Sequence, residues 1–236
     1  MRKGIFILLF SLFSCITFAQ VKHRIYLIPG QGADERLFSE LKLEKCETYV
    51  LKFPVPEKDE LLPRYAKRMA EQIDTTQPFS IVGVSLGGMI AVEMSKFLDP
   101  DKVVLISSAK GRDELPLRYR FMKHVPLYKL FPGTLLKTMA NLARPIVEPE
   151  SKVKAPVFKA MIDAKDPDFM QRSIHMIANW DNKERPANLV HIHGTKDKTL
   201  PVRYIGQPLK VKGGGHMVTL VRAEEISKLL NEIFAQ

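Results

Sequence analysis

Apolar and polar positions along the chain follow two alternating rhythms. Short runs rich in β-branched and aromatic residues and bounded by turn-forming residues read as strands: "RIYLIPG", "ETYVLKFP", "FSIVGVS", "KVVLISSA", "LVHIHGT" and "QPLKVKGGG". Between them, apolar residues recur at steps of three and four, the spacing of a helix that buries one face. "DELLPRYAKRMAEQID" places Leu62, Tyr65, Met69 and Ile73 at such steps, and "LGGMIAVEMSKFL" continues from the third strand. "AEEISKLLNEIF" ends the chain with Ile226, Leu229, Leu230 and Ile233 on one side. Strands that alternate with helices pair in parallel. The pattern therefore predicts an α/β fold, a mostly parallel sheet of about six strands with helices on both faces. Ligands of such sheets bind at the carboxyl ends of the strands.

The alternation fails in one interval. Between Lys110 and Asp181 no convincing strand occurs, whereas "PLYKLFPGTLLKTMANLA" and "PDFMQRSIHMIANW" have helical spacing. This predicts a helical cap over about residues 110–181 that leaves one strand end, returns to the next strand and lies over the ligand mouth. From Lys110 to Lys154 there are ten Lys/Arg against four Asp/Glu, interspersed with Phe121, Met122, Leu127, Leu130, Phe131, Leu135, Leu136 and Met139. The pattern reads as an amphipathic helical layer with ordinary core contacts, and the alternative is that part of its apolar face lines an acyl pocket with the basic residues outside.

The first residues follow neither rhythm. Arg2 and Lys3 precede the apolar run "GIFILLFSLFSCITFA", which closes with small-residue spacing at Thr17 and Ala19. That is the shape of a secretory signal over residues 1–19, cleaved before Gln20, leaving a domain over 20–236 expected to be soluble in the periplasm or the medium, with no stable membrane insertion. A single-span anchor is the alternative, although the run is short for a bilayer. Lipidation at Cys15 is another, with bulky Phe13 unsuited to the position two before it. After cleavage Cys46 is the sole cysteine, so no internal disulfide forms, and the thiol reads as a small buried hydrophobe.

Composition narrows the function classes. With 45% apolar and 26% charged residues in 236, the chain buries one sizeable core and is neither a disordered tail nor a repeat array. Its formal charge of +10 falls to +8 without Arg2 and Lys3. That balance suggests attraction to anionic surfaces or substrates, yet no Lys/Arg run interleaved with aromatics marks a nucleic-acid face, and a solvated basic surface is the favoured reading. Nothing in the pattern fixes an oligomeric state.

Chemistry concentrates at "GVSLG". Ser85 ends a predicted strand and opens a predicted helix, a turn so tight that its central residue is strained and the glycines two positions away relieve crowding. The hydroxyl is lifted above the sheet. The N–H of Leu86 and the positive helix end then face the oxygen of a bound carbonyl. A serine nucleophile needs a base. His23, His191 and His193 lie within predicted strands, and His124 and His175 in the cap, where histidines ordinarily serve structure. His216 follows "KGGG" at the sheet edge that carries Ser85, with three glycines that permit close backbone approach. Asp197, in "HGTKD" just beyond the fifth strand, can orient the imidazole, and Asp113 after the fourth strand is its rival. A metal pair at His191 and His193 has no familiar spacing with the nearby Asp, so no metal is expected.

In the order Ser85, Asp197, His216, the chain resembles the α/β-hydrolase superfamily over nearly all its mature length, and looks like its small capped serine hydrolases and esterases. "GVSLGG", "HGTKD" and "GGGH" carry the resemblance. "IPGQGADERLF" matches the position of the first oxyanion loop, reading Pro29-Gly30-Gln31-Gly32 where many members read His-Gly, and the resemblance makes Gln31 the second oxyanion donor beside Leu86. The first two, often antiparallel, strands of many members are expected to be absent, since little chain precedes Arg24. The resemblance implies hydrolysis of a small-molecule ester or related acyl bond without a cofactor. It leaves open a lactonase, a carbon–carbon hydrolase, a lyase, or a binding protein that has lost turnover.

Overall fold

The computed structural model describes residues 23–235. The expected signal, with Cys15, Ala19 and the terminus at Gln20, lies outside the described residues. The six predicted strands are β1 His23–Ile28, β2 Cys46–Val50, β3 Phe79–Val84, β4 Val103–Ile106, β5 Leu189–Gly194 and β6 Leu209–Val211. The helices are α1 Leu62–Ala70, α2 Leu86–Met94, α3 Leu117–Phe121, α4 Gly133–Val147, α5 Ala155–Asp163, α6 Pro167–Asn179, α7 Val218–Val221 and α8 Ala223–Phe234. The sheet order is β2-β1-β3-β4-β5-β6, and every neighbouring pair is parallel. Among the described residues no strand is antiparallel.

Side chains alternate across the sheet with the two-residue period of a strand. Tyr26, Ile28, Ile81, Val103 and Leu105 pack with α1 and α2, while Ile25, Leu27, Val82, Val84, Val104 and Ile106 pack with α8. Both faces are covered, which is why β3 and β4 are buried along their whole length. Helix α2 is buried at all nine positions and therefore apolar all round, apart from Glu93. That carboxylate accepts from Trp180 Nε1 at 2.7 Å and pairs with Lys96 Nζ at 2.9 Å, so its burial leaves no unpaired charge.

Strand order reverses at β1: β2 lies on one side of it and β3 on the other. Crevices open at such switch points. Ile28 of β1 is in register with Gly83 of β3, so the Pro29–Gly32 loop and the Ser85 turn leave the sheet side by side.

Helices α3 to α6 lie between β4 and β5, where the cap was expected. The run from Pro126 to Ala143, predicted as one helix, is two elements, a 3-10 turn at Leu127–Leu130 and then α4. Pro132 separates them. It disfavours helical backbone in the residue before it, and Phe131 is extended at φ −102°, ψ 123°. Helix α5, "APVFKAMID", was not singled out from the pattern. Cys46 is half-buried on the outer strand β2, and burial pushes its thiol pKa up.

Candidate active site

Ser85 joins β3 to α2 with φ 52° and ψ −117°, a conformation non-glycine residues avoid. The surroundings hold it there. Its N–H donates to Ile106 O at 3.0 Å, and its carbonyl accepts from Ser108 Oγ at 2.6 Å. The flanking glycines are required by contact: a Cβ on Gly83 would lie 2.4 Å from Gly87 O, and one on Gly87 would lie 2.2 Å from Ile28 O. Only bare backbone lets α2 start this close to the end of β1.

His216 comes to the same point from the loop after β6. Its Nε2 is 3.0 Å from Ser85 Oγ, and its Nδ1 is 2.7 Å from Asp197 Oδ2. Asp197 leaves the end of β5 and is fully enclosed. Its Oδ1 accepts from the N–H groups of Thr199 at 2.8 Å and Leu200 at 2.7 Å. Oδ2 also lies 3.2 Å from His193 Nε2. Burial opposes the charge on Asp197, but His216 and His193 outweigh it and hold its pKa well below the usual carboxylate range. Burial likewise lowers the His216 pKa, yet the charge and hydrogen bond of Asp197, with the charge of Glu148, leave it raised. With Nδ1–H donated to Asp197, the Nε2 lone pair of neutral His216 faces the serine hydroxyl.

The histidine pair of β5 belongs to this network. His193 Nε2 lies 2.7 Å from Leu200 O, which requires a proton on that nitrogen, so His193 Nδ1 accepts from His191 Nε2 at 3.2 Å. Burial pushes the His191 pKa far down and keeps it neutral. Among the described residues no group of three or more His, Cys, Asp or Glu converges as a metal site. The remaining histidines lie elsewhere: His23 bonds Ser80 Oγ at 2.8 Å, His175 bonds the Tyr128 hydroxyl at 2.9 Å, and His124 is exposed on the cap. Asp113 is exposed and donates nothing to the site, its carboxylate pairing with Arg185 at 2.6 Å.

Leu86 is the first residue of α2, whose opening N–H groups have no acceptor within the helix. Gln31 lies on the neighbouring loop. A Cβ on Gly30 would lie 3.2 Å from Ser85 Cβ, so this loop is pressed against the serine. The Gln31 side chain turns to the cap, donating to Met170 O at 3.1 Å and Ser173 Oγ at 2.7 Å of α6.

Glu148, at the end of α4, is a site residue that the sequence reading missed. Its buried carboxylate accepts from the N–H of His216 at 2.9 and 3.0 Å and of Met217 at 3.2 Å. Burial raises its pKa against the opposing pull of His216 and those N–H groups. Its surroundings, "VEPES", read as a solvated turn, and no local signal marks it.

A cavity of about 310 Å³ opens over Ser85, His216 and Gln31. Tyr119, Phe158, Ile162, Met170 and Ile177 are among the residues of its apolar wall, with Arg144 and Glu148 on the α4 side. The cap thus lines the cavity, but not through the residues expected to do so. None of the eight apolar residues named between Phe121 and Met139 borders it. Most are exposed, because the half-buried side of α4 carries Ala140, Arg144 and Val147 instead.

The match to known proteins extends along the chain. Residues 18–229 match a family model described as the alpha/beta hydrolase family. No curated protein is significantly similar in sequence. Among solved structures, a thermophilic esterase from Thermogutta terrifontis is similar at TM-score 0.66 and 15% identity, over 90% of this chain and 89% of that one. MenH from S. aureus is similar at TM-score 0.71 and 11% identity, over 91% and 94%. The enol-lactonase from Burkholderia xenovorans is similar at TM-score 0.67 and 14% identity, over 91% and 92%. Identities this low carry the fold and no more.

Proposed function

Because this chain belongs to the alpha/beta hydrolase family, we propose that it is a serine hydrolase that cleaves a carboxylic ester through an acyl-enzyme. The observation that supports this reading is the continuous contact from Asp197 through His216 to Ser85 at the floor of a covered cavity. His216 Nε2 takes the hydroxyl proton as Ser85 Oγ attacks the ester carbonyl, and Asp197 stabilises the imidazolium that forms. The oxyanion is held by the N–H groups of Leu86 and Gln31. His216 then gives its proton to the departing alcohol, and a water activated by the same imidazole releases the acid. Every proton moved in this sequence is handled by these side chains and water.

The cavity also supports a size preference. A volume of about 310 Å³ with mostly apolar walls suits short to medium acyl groups. A panel of p-nitrophenyl esters of increasing acyl length tests both points. We expect measurable turnover with kcat/KM highest for short or medium acyl groups and lower by about tenfold or more for long ones. A steady rise through the long esters would refute the small covered pocket, and no turnover on any member would count against the ester reading.

The same proposal places the mature protein outside the cytoplasm. Arg2, Lys3 and the apolar run to Ala19 support a cleaved signal. N-terminal sequencing of the protein recovered from periplasm or medium is expected to begin at Gln20. A retained run in the membrane fraction, or a lipid on Cys15, would replace this assignment.

A further inference from the structure

From Leu115 to Val147 the chain contains six Lys/Arg and no Asp or Glu. Ten of the sixteen large apolar side chains that are exposed among the described residues fall in this same stretch. They are ordered on α4. Leu135, Met139, Leu142 and Ile146 follow one another at steps of four, three and four, which puts them in one stripe, 41%, 49%, 72% and 73% exposed. Every exposed residue of α4 is uncharged. Its one lysine turns inward, Lys137 Nζ donating to the carbonyls of Asp163 and Lys165 at 2.8 and 2.7 Å. A surface helix ordinarily shows solvent its charges; α4 shows solvent an apolar stripe and keeps both its charged residues, Lys137 and Arg144, on the half-buried side.

Leu117 and Phe121 on α3 extend the exposed apolar surface. Cations stand at the end of the stripe: Lys198 Nζ donates to Ile146 O at 2.9 Å, and the Arg118 guanidinium donates to Lys198 O at 3.2 Å. Ala143, exposed beside Leu142, also borders the catalytic cavity, so the stripe adjoins the cavity mouth.

We propose that this face of the cap docks on an anionic lipid surface, with the α4 stripe seated at the boundary of headgroups and acyl chains and Arg118 and Lys198 on the phosphates. The charge decides the occupant. Lys123 and Lys129 have carboxylates beside them from outside the stretch, Asp181 at 3.8 Å and Asp59 at 3.1 Å, so the cations at the end of the stripe are Arg118 and Lys198, and two copies meeting there would set like charges against each other. An anionic bilayer satisfies both halves of the pattern, taking the apolar stripe below its headgroups and the cations among them. The docking does not depend on which bond Ser85 attacks.

The test is flotation of the purified protein with vesicles of phosphatidylglycerol and phosphatidylcholine, beside vesicles of phosphatidylcholine alone, at low and raised salt. The protein is expected to float with the anionic vesicles, less so as salt rises, and poorly with the neutral ones. Leu142→Glu with Ile146→Glu is expected to weaken binding by about tenfold or more. Neither side chain borders the cavity, so melting and turnover of a soluble ester should be unchanged. Absence of binding by the wild type, or equal binding to both vesicle types at all salt concentrations, would overturn the proposal. Binding that persists in the double variant would overturn it in favour of the N-terminal apolar run. A lipid-free dimer that the double variant splits would make a second copy the occupant.

Discussion

Ser85→Ala is expected to lower ester turnover by about 10⁵- to 10⁶-fold and to abolish labelling by an active-site serine probe. The loss is this large because the serine, the imidazole and the carboxylate act as one unit, so removing the nucleophile leaves only binding and oxyanion stabilisation. Folding should survive. Alanine keeps the backbone hydrogen bonds of Ser85 N–H to Ile106 O and of its carbonyl to Ser108 Oγ. It gives up only the side-chain contact at 3.0 Å with His216. Rates and probe labelling should be compared at matched melting temperature. A folded Ser85→Ala protein with a tenth of the wild-type rate would remove the serine from the mechanism. A folded wild type that the probe does not label would favour a binding protein over an enzyme.

Asp197→Asn carries the second largest expected effect, up to about 10⁴-fold in turnover, the loss known for the equivalent change in the best-studied triad. Asp113→Asn, on an exposed residue paired with Arg185, should change little. The local geometry explains why an amide fails. Three donors converge on the Asp197 carboxylate, Thr199 N–H and Leu200 N–H on one oxygen and His216 Nδ1 on the other, with His193 Nε2 at 3.2 Å from that second oxygen. An asparagine must turn its NH₂ toward the two backbone N–H groups or toward His216, so no orientation satisfies all three. If the NH₂ faces His216, the wrong imidazole tautomer is favoured. The pH profile separates this from simple loss of structure. Asp197 raises the His216 pKa above its ordinary 6.5, so wild-type activity should fall as pH drops through a value above 6.5. In Asp197→Asn that acid limb should move to lower pH. A folded Asp113→Asn that loses turnover while Asp197→Asn keeps it would transfer the acid to the earlier strand.

The frame was legible in sequence because its signals are local. Central strands covered on both faces must be largely apolar, as "FSIVGV" apart from Ser80 and "VVLI" are, and the β3-to-α2 turn has glycines at both places where a Cβ would strike backbone. The cap was legible only as helices between strands. Six of its eight apolar residues named from Phe121 to Met139 are exposed where an inward apolar face was expected, since a pattern reading takes large apolar side chains as the buried ones, whereas Lys123 and Lys129 lie outside as expected. Glu148 was invisible for a related reason. A carboxylate in a turn between prolines reads as solvated, and what buries it is His216, far away in the chain. The participation of His193 was hidden as well, since an apolar-strand histidine gives no sign of the carboxylate beneath it until β5 and its loop are folded together.

The whole insert of residues 107–188 leaves from the end of β4 and returns to the start of β5, two strands that lie side by side. Loop closure depends only weakly on length, so doubling such an insert would cost about 0.6 kcal/mol. Over evolutionary time its size is therefore nearly unconstrained, and the frame can accept caps of very different bulk without a change of register. Its content is less free. The His216 and Met217 N–H groups depend on Glu148 for their acceptor, and a transplanted cap without a carboxylate at that point would leave them unpaired, at about 1–3 kcal/mol for each that stays buried. A functional cap exchange in this scaffold has to bring one acidic residue with it, whatever else it replaces.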